Sequence, residues 1–222
     1  MNAFLGPLAA TLLAYLIGSL SFAVIVSRLA GLADPRTYGS HNPGATNVLR
    51  SGHKAAAVLT LALDALKGFV PVWAVVIFGP RYGLGEGTAA LVGLAAFVGH
   101  LWPVFFGFHG GKGVATAAGV LFGLNPWLGL ATLATWLVIA AFFRYSSLAS
   151  IVAAAFAPFY QLLIWRPGWS AAAMVVMSLL LVWRHAGNIR KLLPGTESRI
   201  GAKAGAPAAR PAAGHGHRKA AK

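Results

Sequence analysis

The chain has 222 residues, 58% of them hydrophobic and only 10% charged, where a soluble domain carries about 25% charged residues. Its 18 Lys and Arg outnumber four acids, Asp34, Asp64, Glu86 and Glu197, for a net charge of +14; because the bases sit at the ends of apolar runs and in the tail, the charge speaks for a membrane face and against nucleic acid. With no Cys there is no disulfide, thiolate nucleophile or Cys-held metal, four acids leave little for a carboxylate-held divalent ion, and neither metal nor cofactor is expected.

Several apolar runs reach the roughly 20 residues a helix needs to cross a bilayer, which makes the chain an all-α polytopic membrane protein. Leu5 to Val26 is apolar and the first basic residue, Arg28, follows it, the reverse of a secretory leader. It reads as a retained first span with the N-terminus outside. Gly39 to Lys54 then brings Ser40, Asn42, Thr46, Asn47 and Arg50 to the inner edge: short donors, glycines that admit close approach, and a planar cation suited to phosphate. Ala55 to Phe78 returns outward, with Asp64 and Lys67 one turn apart at a depth where ionisable groups are usually paired or functional. Mutual pairing is the expectation. Gly79-Pro80 ends that span.

Thr88 to Phe108 crosses inward and delivers His109-Gly110-Gly111-Lys112-Gly113 to the start of another helix. Glycine-freed N–H groups, a positive helix end and a lysine converge there, which suits a phosphate, although the spacing is not that of a Walker A loop. Val114 to Phe143 is too long for one straight span and is expected to break at Asn125-Pro126. Leu148 to Trp165 and Ser170 to Trp183 complete seven segments, the last ending in Arg184-His185-Ala186-Gly187-Asn188. On this tracing only Arg81 and Arg166 lie outside and Lys67 within a span, with every other Lys and Arg inside, a strong positive-inside bias that sets the C-terminus in the cytoplasm. Residues 1–200 form the membrane domain, and residues 201–222 read as a disordered basic tail drawn to anionic lipid.

A basic, glycine-rich, metal-free site on one face suits two phosphates, or one phosphate and a lipid. Enzyme and transporter of phosphate or a phosphate ester both remain open on the residues alone. The His followed five positions on by Asp, a signature of another acyltransferase class, is missing, and no Ser-His-Asp triad is readable.

The motifs resemble those of the acyl-phosphate:glycerol-3-phosphate acyltransferases of bacterial membranes, the PlsY type. They are Gly18-Ser19 with Arg28, Gly39 through Asn42-Pro43-Gly44-Ala45-Thr46-Asn47 to Arg50, Asp64-x-x-Lys67-Gly68, Gly99-His100 through Gly110-Gly111-Lys112-Gly113, the Ser147 to Ser150 turn, and His185-x-x-Asn188-Ile189 to Gly195-Thr196-Glu197. The chain departs at Ser21, where Pro is usual, at His41, where Gly is usual, and at His109. The resemblance implies a seven-segment bundle in the cytoplasmic (inner) membrane, active on the cytoplasmic side, that moves a fatty acyl group from acyl phosphate to the 1-hydroxyl of glycerol 3-phosphate. Ser40, Arg50, Lys112, Ser150, His185 and Asn188 would hold glycerol 3-phosphate. Asn42, Thr46 and Asn47, with Gly110, Gly111 and Gly113, would hold the acyl phosphate head. His185, Lys112 and Arg50 would serve the reaction itself, His185 as a neutral imidazole that donates to the substrate. Oligomeric state is not readable.

Overall fold

The computed structural model describes residues 4–201, so all but the first residue of the expected basic tail lies outside it. Among the described residues the regular structure is entirely helical. The first apolar run is not one straight helix: α1, Leu5–Gly18, meets α2, Phe22–Leu29, at 43°. Small residues cause the close packing at this bend, because a Cβ on Gly18 would strike the Ala96 backbone and one on Gly99 would strike the Tyr15 carbonyl, as small residues do at membrane helix interfaces. The carbonyl of Leu20, freed by the break, accepts from Lys67 at 2.7 Å.

The polar stretch from Gly39 contains a short helix, α3, Ala45–Leu49, before α4, Lys54–Phe78. α5, Glu86–Leu101, stops seven residues short of the expected Phe108, because Pro103 cannot donate to a further turn; the Tyr15 hydroxyl takes up the Trp102 carbonyl at 2.8 Å. α6, Val114–Leu124, and α7, Pro126–Phe143, part at Asn125, whose Oδ1 accepts from the N–H groups of Trp127 and Leu128. Proline at the first helical position completes that start. α8, Ser146–Ile164, and α9, Trp169–Arg184, follow, and the chain bends by 57° at His185 into α10, Ala186–Leu192.

Val72, Val92, Ala96, Phe97, Leu101 and Val120 form the centre, shared by α4, α5 and α6. Around it Leu13, Leu59, Ile77, Leu137, Phe142 and Leu179 stand exposed, far more apolar surface than a water-soluble monomer shows. Lipid is the solvent for that surface. Residues 54–82, 86–106, 126–143 and 146–163 are long and apolar enough to cross a membrane, and six spans result if each bent pair counts as one. The fourth of the seven expected segments, α6, has 11 residues, about 17 Å of helix against a hydrocarbon core of about 30 Å. It leans on α4, where Gly68 meets Thr116 and Gly119 meets Ala65 with no room for a Cβ.

Candidate active site

The polar loops gather at the end of the bundle where α4, α6 and α8 begin and α5, α7 and α9 finish. Asn47 builds the first loop. It is buried, its Nδ2 donates to the Pro35 carbonyl at 2.7 Å and the Tyr38 carbonyl at 3.1 Å, and its Oδ1 accepts from the Ser40 N–H at 3.0 Å. Those bonds consume both amide hydrogens. The structure therefore employs Asn47 to shape the loop rather than to reach into the cleft. Thr46 sits 3.4 Å from the Ser146 hydroxyl, and Asn42 lies beside Gly44. His41 takes φ +55 and turns its exposed ring to the Arg36 carbonyl at 3.0 Å. A left-handed φ suits Gly best, and here the imidazole stays exposed to solvent.

The Gly-Gly-Lys-Gly loop is held from two sides. The Arg184 guanidinium donates to the carbonyls of Gly110 at 2.7 Å and Gly111 at 3.1 Å, and the Gly111 N–H donates to the His100 carbonyl at 3.2 Å. A Cβ on Gly111 would collide with the His100 ring and the Pro43 carbonyl. So one N–H expected to be free for an anion is already engaged, and the glycines allow tight packing. Beneath them, in the bundle interior, Lys67 pairs with Asp64 at 2.8 Å, His100 stands 3.6 Å from Asp64, and Thr116 lies 3.2 Å from His100. The expected Asp64–Lys67 pairing is present, and it supports the loop through His100.

Lys112 reaches the side-chain carbonyl of Asn188, Asn188 donates to Glu197 at 2.6 Å, and Ser147 donates to the same carboxylate oxygen at 2.9 Å. Burial pushes the Lys112 ammonium down to about 8; Glu197 works against that shift while Arg50, Arg184 and Lys191 add to it. His185, 2% exposed, sits just past the end of α9 with its Nδ1 2.8 Å from the Leu181 carbonyl. Burial first, then Lys112 and Arg184, push it down to about 4, so the ring is neutral at physiological pH. A carbonyl can only accept, so Nδ1 carries the hydrogen and Nε2 is left as an acceptor. That reverses the expected role of a ring donating to substrate.

Ser40, Arg50, Asn188, Lys191, Glu197 and Ser198 line a cleft of about 320 Å³. Arg50 donates to the Ser198 hydroxyl across it. Lys112 joins the group through Asn188, and His185 precedes Asn188 by one turn, its carbonyl accepting the Asn188 N–H at 2.8 Å. Ser150 lies on the α7–α8 seam, donating to the Ser146 carbonyl and accepting from Trp136 Nε1 at 3.1 Å; Ser147 is the serine of that turn that meets the cleft network. Sequence reasoning gave no role to Glu197 or Arg184. The usable signal for Glu197 was scarcity: it is the only acid after Glu86, set among bases.

The arrangement presents an excess of cations around a single carboxylate, Glu197, with several donors and a neutral imidazole, and no described group of three or more His, Asp or Glu could hold a metal. It can bind and orient anions. A family model described as glycerol-3-phosphate acyltransferase matches residues 8–195. The chain is 66% identical over 203 residues to the glycerol-3-phosphate acyltransferase of Albidiferax ferrireducens, covering 89% of this chain and 91% of that one. It is 63% identical to that of Paraburkholderia phytofirmans over 93% and 97% of the two chains. Among solved structures it resembles PlsY (YgiH), an integral membrane glycerol 3-phosphate acyltransferase. In the glycerol 3-phosphate form the TM-score is 0.83 at 41% identity, covering 88% of this chain and 96% of that one. In the lysophosphatidic acid form it is 0.80 at 40% identity, covering 87% and 95%.

Proposed function

The chain belongs to the glycerol-3-phosphate acyltransferase family, and on that premise we propose that it transfers a fatty acyl group from acyl phosphate to the 1-hydroxyl of sn-glycerol 3-phosphate, releasing lysophosphatidic acid and phosphate. The observation that carries this reading is the cleft lined by Arg50 and Asn188, with Lys112 held on the Asn188 side chain and a neutral His185 one turn before Asn188. Arg50 and Lys112 supply charge for phosphate oxygens, with Ser40 and Asn188 as neutral partners and Ser150 behind them. The acyl phosphate head fits the adjoining surface formed by Asn42, Thr46 and the Gly110 to Gly113 loop.

In the reaction the glycerol oxygen attacks the acyl carbonyl carbon, and the bond from that carbon to the phosphate oxygen breaks. His185 Nε2 accepts the hydrogen bond of the attacking hydroxyl and aims its lone pair. An imidazole held near pKa 4 is a weak base, whereas phosphate has a second pKa near 6 by analogy with phosphoserine. The proton therefore ends on the departing phosphate. An activated donor needs orientation and charge stabilisation more than a strong base. Seven crossings follow if α6 passes through a thinned, protein-lined part of the bilayer; the N-terminus is then outside, and the cleft opens to the cytoplasm of a bacterial cell.

The test uses the purified full chain, labelled glycerol 3-phosphate, and acyl phosphate, acyl-CoA or acyl carrier protein as donor. Lysophosphatidic acid is expected from acyl phosphate alone. Product from acyl-CoA alone would overturn the donor assignment.

A further inference from the structure

A second cavity, of about 450 Å³, lies at the opposite end of the bundle, where α4 and α8 finish and α5, α7 and α9 begin. Its walls include Glu86 at the start of α5, and His100, which backs the catalytic loop, is 14 residues further along that helix, about 21 Å at 1.5 Å per residue. The two sites are separated by the packed centre of Val72, Val92, Phe97 and Val120. Nothing in the acyl transfer uses this second cavity.

Its lining sets two nearly buried amides beside charged side chains. Asn125 and Gln161 are 7% and 6% exposed and both face the cavity. Asn125 spends its Oδ1 on capping α7, and no described residue accepts from its Nδ2. Gln161 donates to the Arg166 carbonyl at 3.3 Å, and no described donor reaches its Oε1. Two nearly buried amides therefore keep one donor and one acceptor for whatever enters. Glu86 accepts from the Ser170 N–H at 3.2 Å through one oxygen only, and among the described residues neither Glu86 nor Arg166 has an ion-pair partner. The cavity thus offers a carboxylate and a guanidinium that neutralise each other neither directly nor through a third residue. Trp165 lines its edge, and Trp127 and Trp169, 69% and 70% exposed, stand on the flanking helix starts. Exposed tryptophans mark the headgroup level of a bilayer, and Val75, Val76 and Leu124 extend the wall on the apolar side.

We propose that this cavity binds the headgroup of a zwitterionic phospholipid bearing a primary ammonium beside a phosphodiester, taken from the leaflet opposite the catalytic cleft. Glu86 meets the ammonium, Arg166 the phosphate, and the free amide groups of Asn125 and Gln161 meet the ester oxygens and the remaining ammonium hydrogen. A primary ammonium gives Glu86 hydrogen-bond donors that a quaternary one lacks, and an anionic headgroup leaves that carboxylate facing like charge.

Dihexanoyl phosphatidylethanolamine, phosphatidylglycerol and phosphatidylcholine are titrated separately into the purified full chain in detergent, with Tm as readout. The ethanolamine lipid is expected to raise Tm saturably, with at least tenfold lower apparent Kd than the other two. Glu86→Gln keeps an oxygen for the Ser170 N–H, and it and Arg166→Gln should each weaken that binding about tenfold while leaving glycerol 3-phosphate turnover unchanged. Equal effects of the three lipids, undiminished binding by Glu86→Gln, or an equal response to soluble phosphoethanolamine would overturn the proposal. Because Tm is read without substrate, the result stands apart from the fate of the proposed reaction.

Discussion

The Lys112 ammonium rests on the side-chain carbonyl of Asn188, while the amide of the same Asn188 donates to Glu197 at 2.6 Å. Asn188 thus orients a cation and is itself oriented by an acid, and substrate phosphate would have to enter beside an ammonium whose pKa is already down to about 8. Above that pH the free enzyme loses the charge, so kcat/KM for glycerol 3-phosphate should fall as pH rises through about 8, while kcat at saturation falls later because bound phosphate favours the charged lysine. Lys112→Arg should move that fall upward. Unfolding would not explain the loss: between about 8 and the ordinary 10.5 the unfolded chain holds the proton and the folded chain does not, so this group makes folding more favourable as pH rises there. Tm measured alongside activity separates the two.

Arg50 and its bond to Ser198 yield a second expectation. Arg50→Lys keeps the charge and the positive-inside count but loses the two-pronged geometry, so turnover should drop by about 10²-fold if Arg50 grips phosphate. Near-normal activity in folded Arg50→Lys protein would leave Arg50 a topological charge only.

The buried pair of Asp64 and Lys67 predicts a stability effect. Asp64→Asn leaves the Lys67 ammonium on the Leu20 carbonyl without a counter-charge, at a cost of about 3–5 kcal/mol. Asp64→Asn with Lys67→Met should recover much of that loss, since removing both charges costs less than removing one. Thermal unfolding in one detergent compares the three proteins. If the single and double variants lose stability equally, the pair is not what ties α4 to the α1–α2 bend.

Much of this was legible in the chain because the membrane imposes a simple code: apolar length, charge at the ends, and Gly or Pro at the breaks. Asn125-Pro126 marks a real break for that reason. The bend after Gly18 was not legible, because it depends on Gly99 and Ala96 of another helix approaching α1, a contact that no local pattern announces. In the site, the residue types at Arg50, Lys112, His185 and Asn188 were readable as anion chemistry. The employment of Asn47 as a loop clamp was not, since a buried Asn serving carbonyls and an exposed Asn serving a ligand look alike in sequence. Glu197 was missed because its partners, Asn188 and Ser147, lie 9 and 50 residues away.

The proposed topology predicts sidedness. The chain has no Cys, so single Cys replacements at the exposed His41, His109, Arg144 and Lys191 should react with an impermeant thiol reagent only from the cytoplasmic side. Replacements at Gly83 and Pro167 should react only from the other side. Labelling of His41 and Arg144 from opposite sides would split the cleft and end the single-site reading.

His185 is the last test, and its tautomer sharpens it. The Nδ1 hydrogen is committed to the Leu181 carbonyl at 2.8 Å, which leaves Nε2 to accept from the glycerol hydroxyl. With its pKa near 4, the ring orients that hydroxyl better than it deprotonates it, and the proton passes to phosphate. His185→Gln offers an amide oxygen in place of Nε2, so it should keep a measurable fraction of kcat and mainly raise KM for glycerol 3-phosphate. His185→Leu, which offers no acceptor, should lose far more. The pH profile adds an independent reading: any acid limb of kcat at about pH 6 belongs to the substrate phosphates and should persist unchanged in His185→Gln. A collapse of kcat by about 10⁴-fold in His185→Gln with KM unchanged, joined to the disappearance of an acid limb present in the wild type, would instead make His185 the general base.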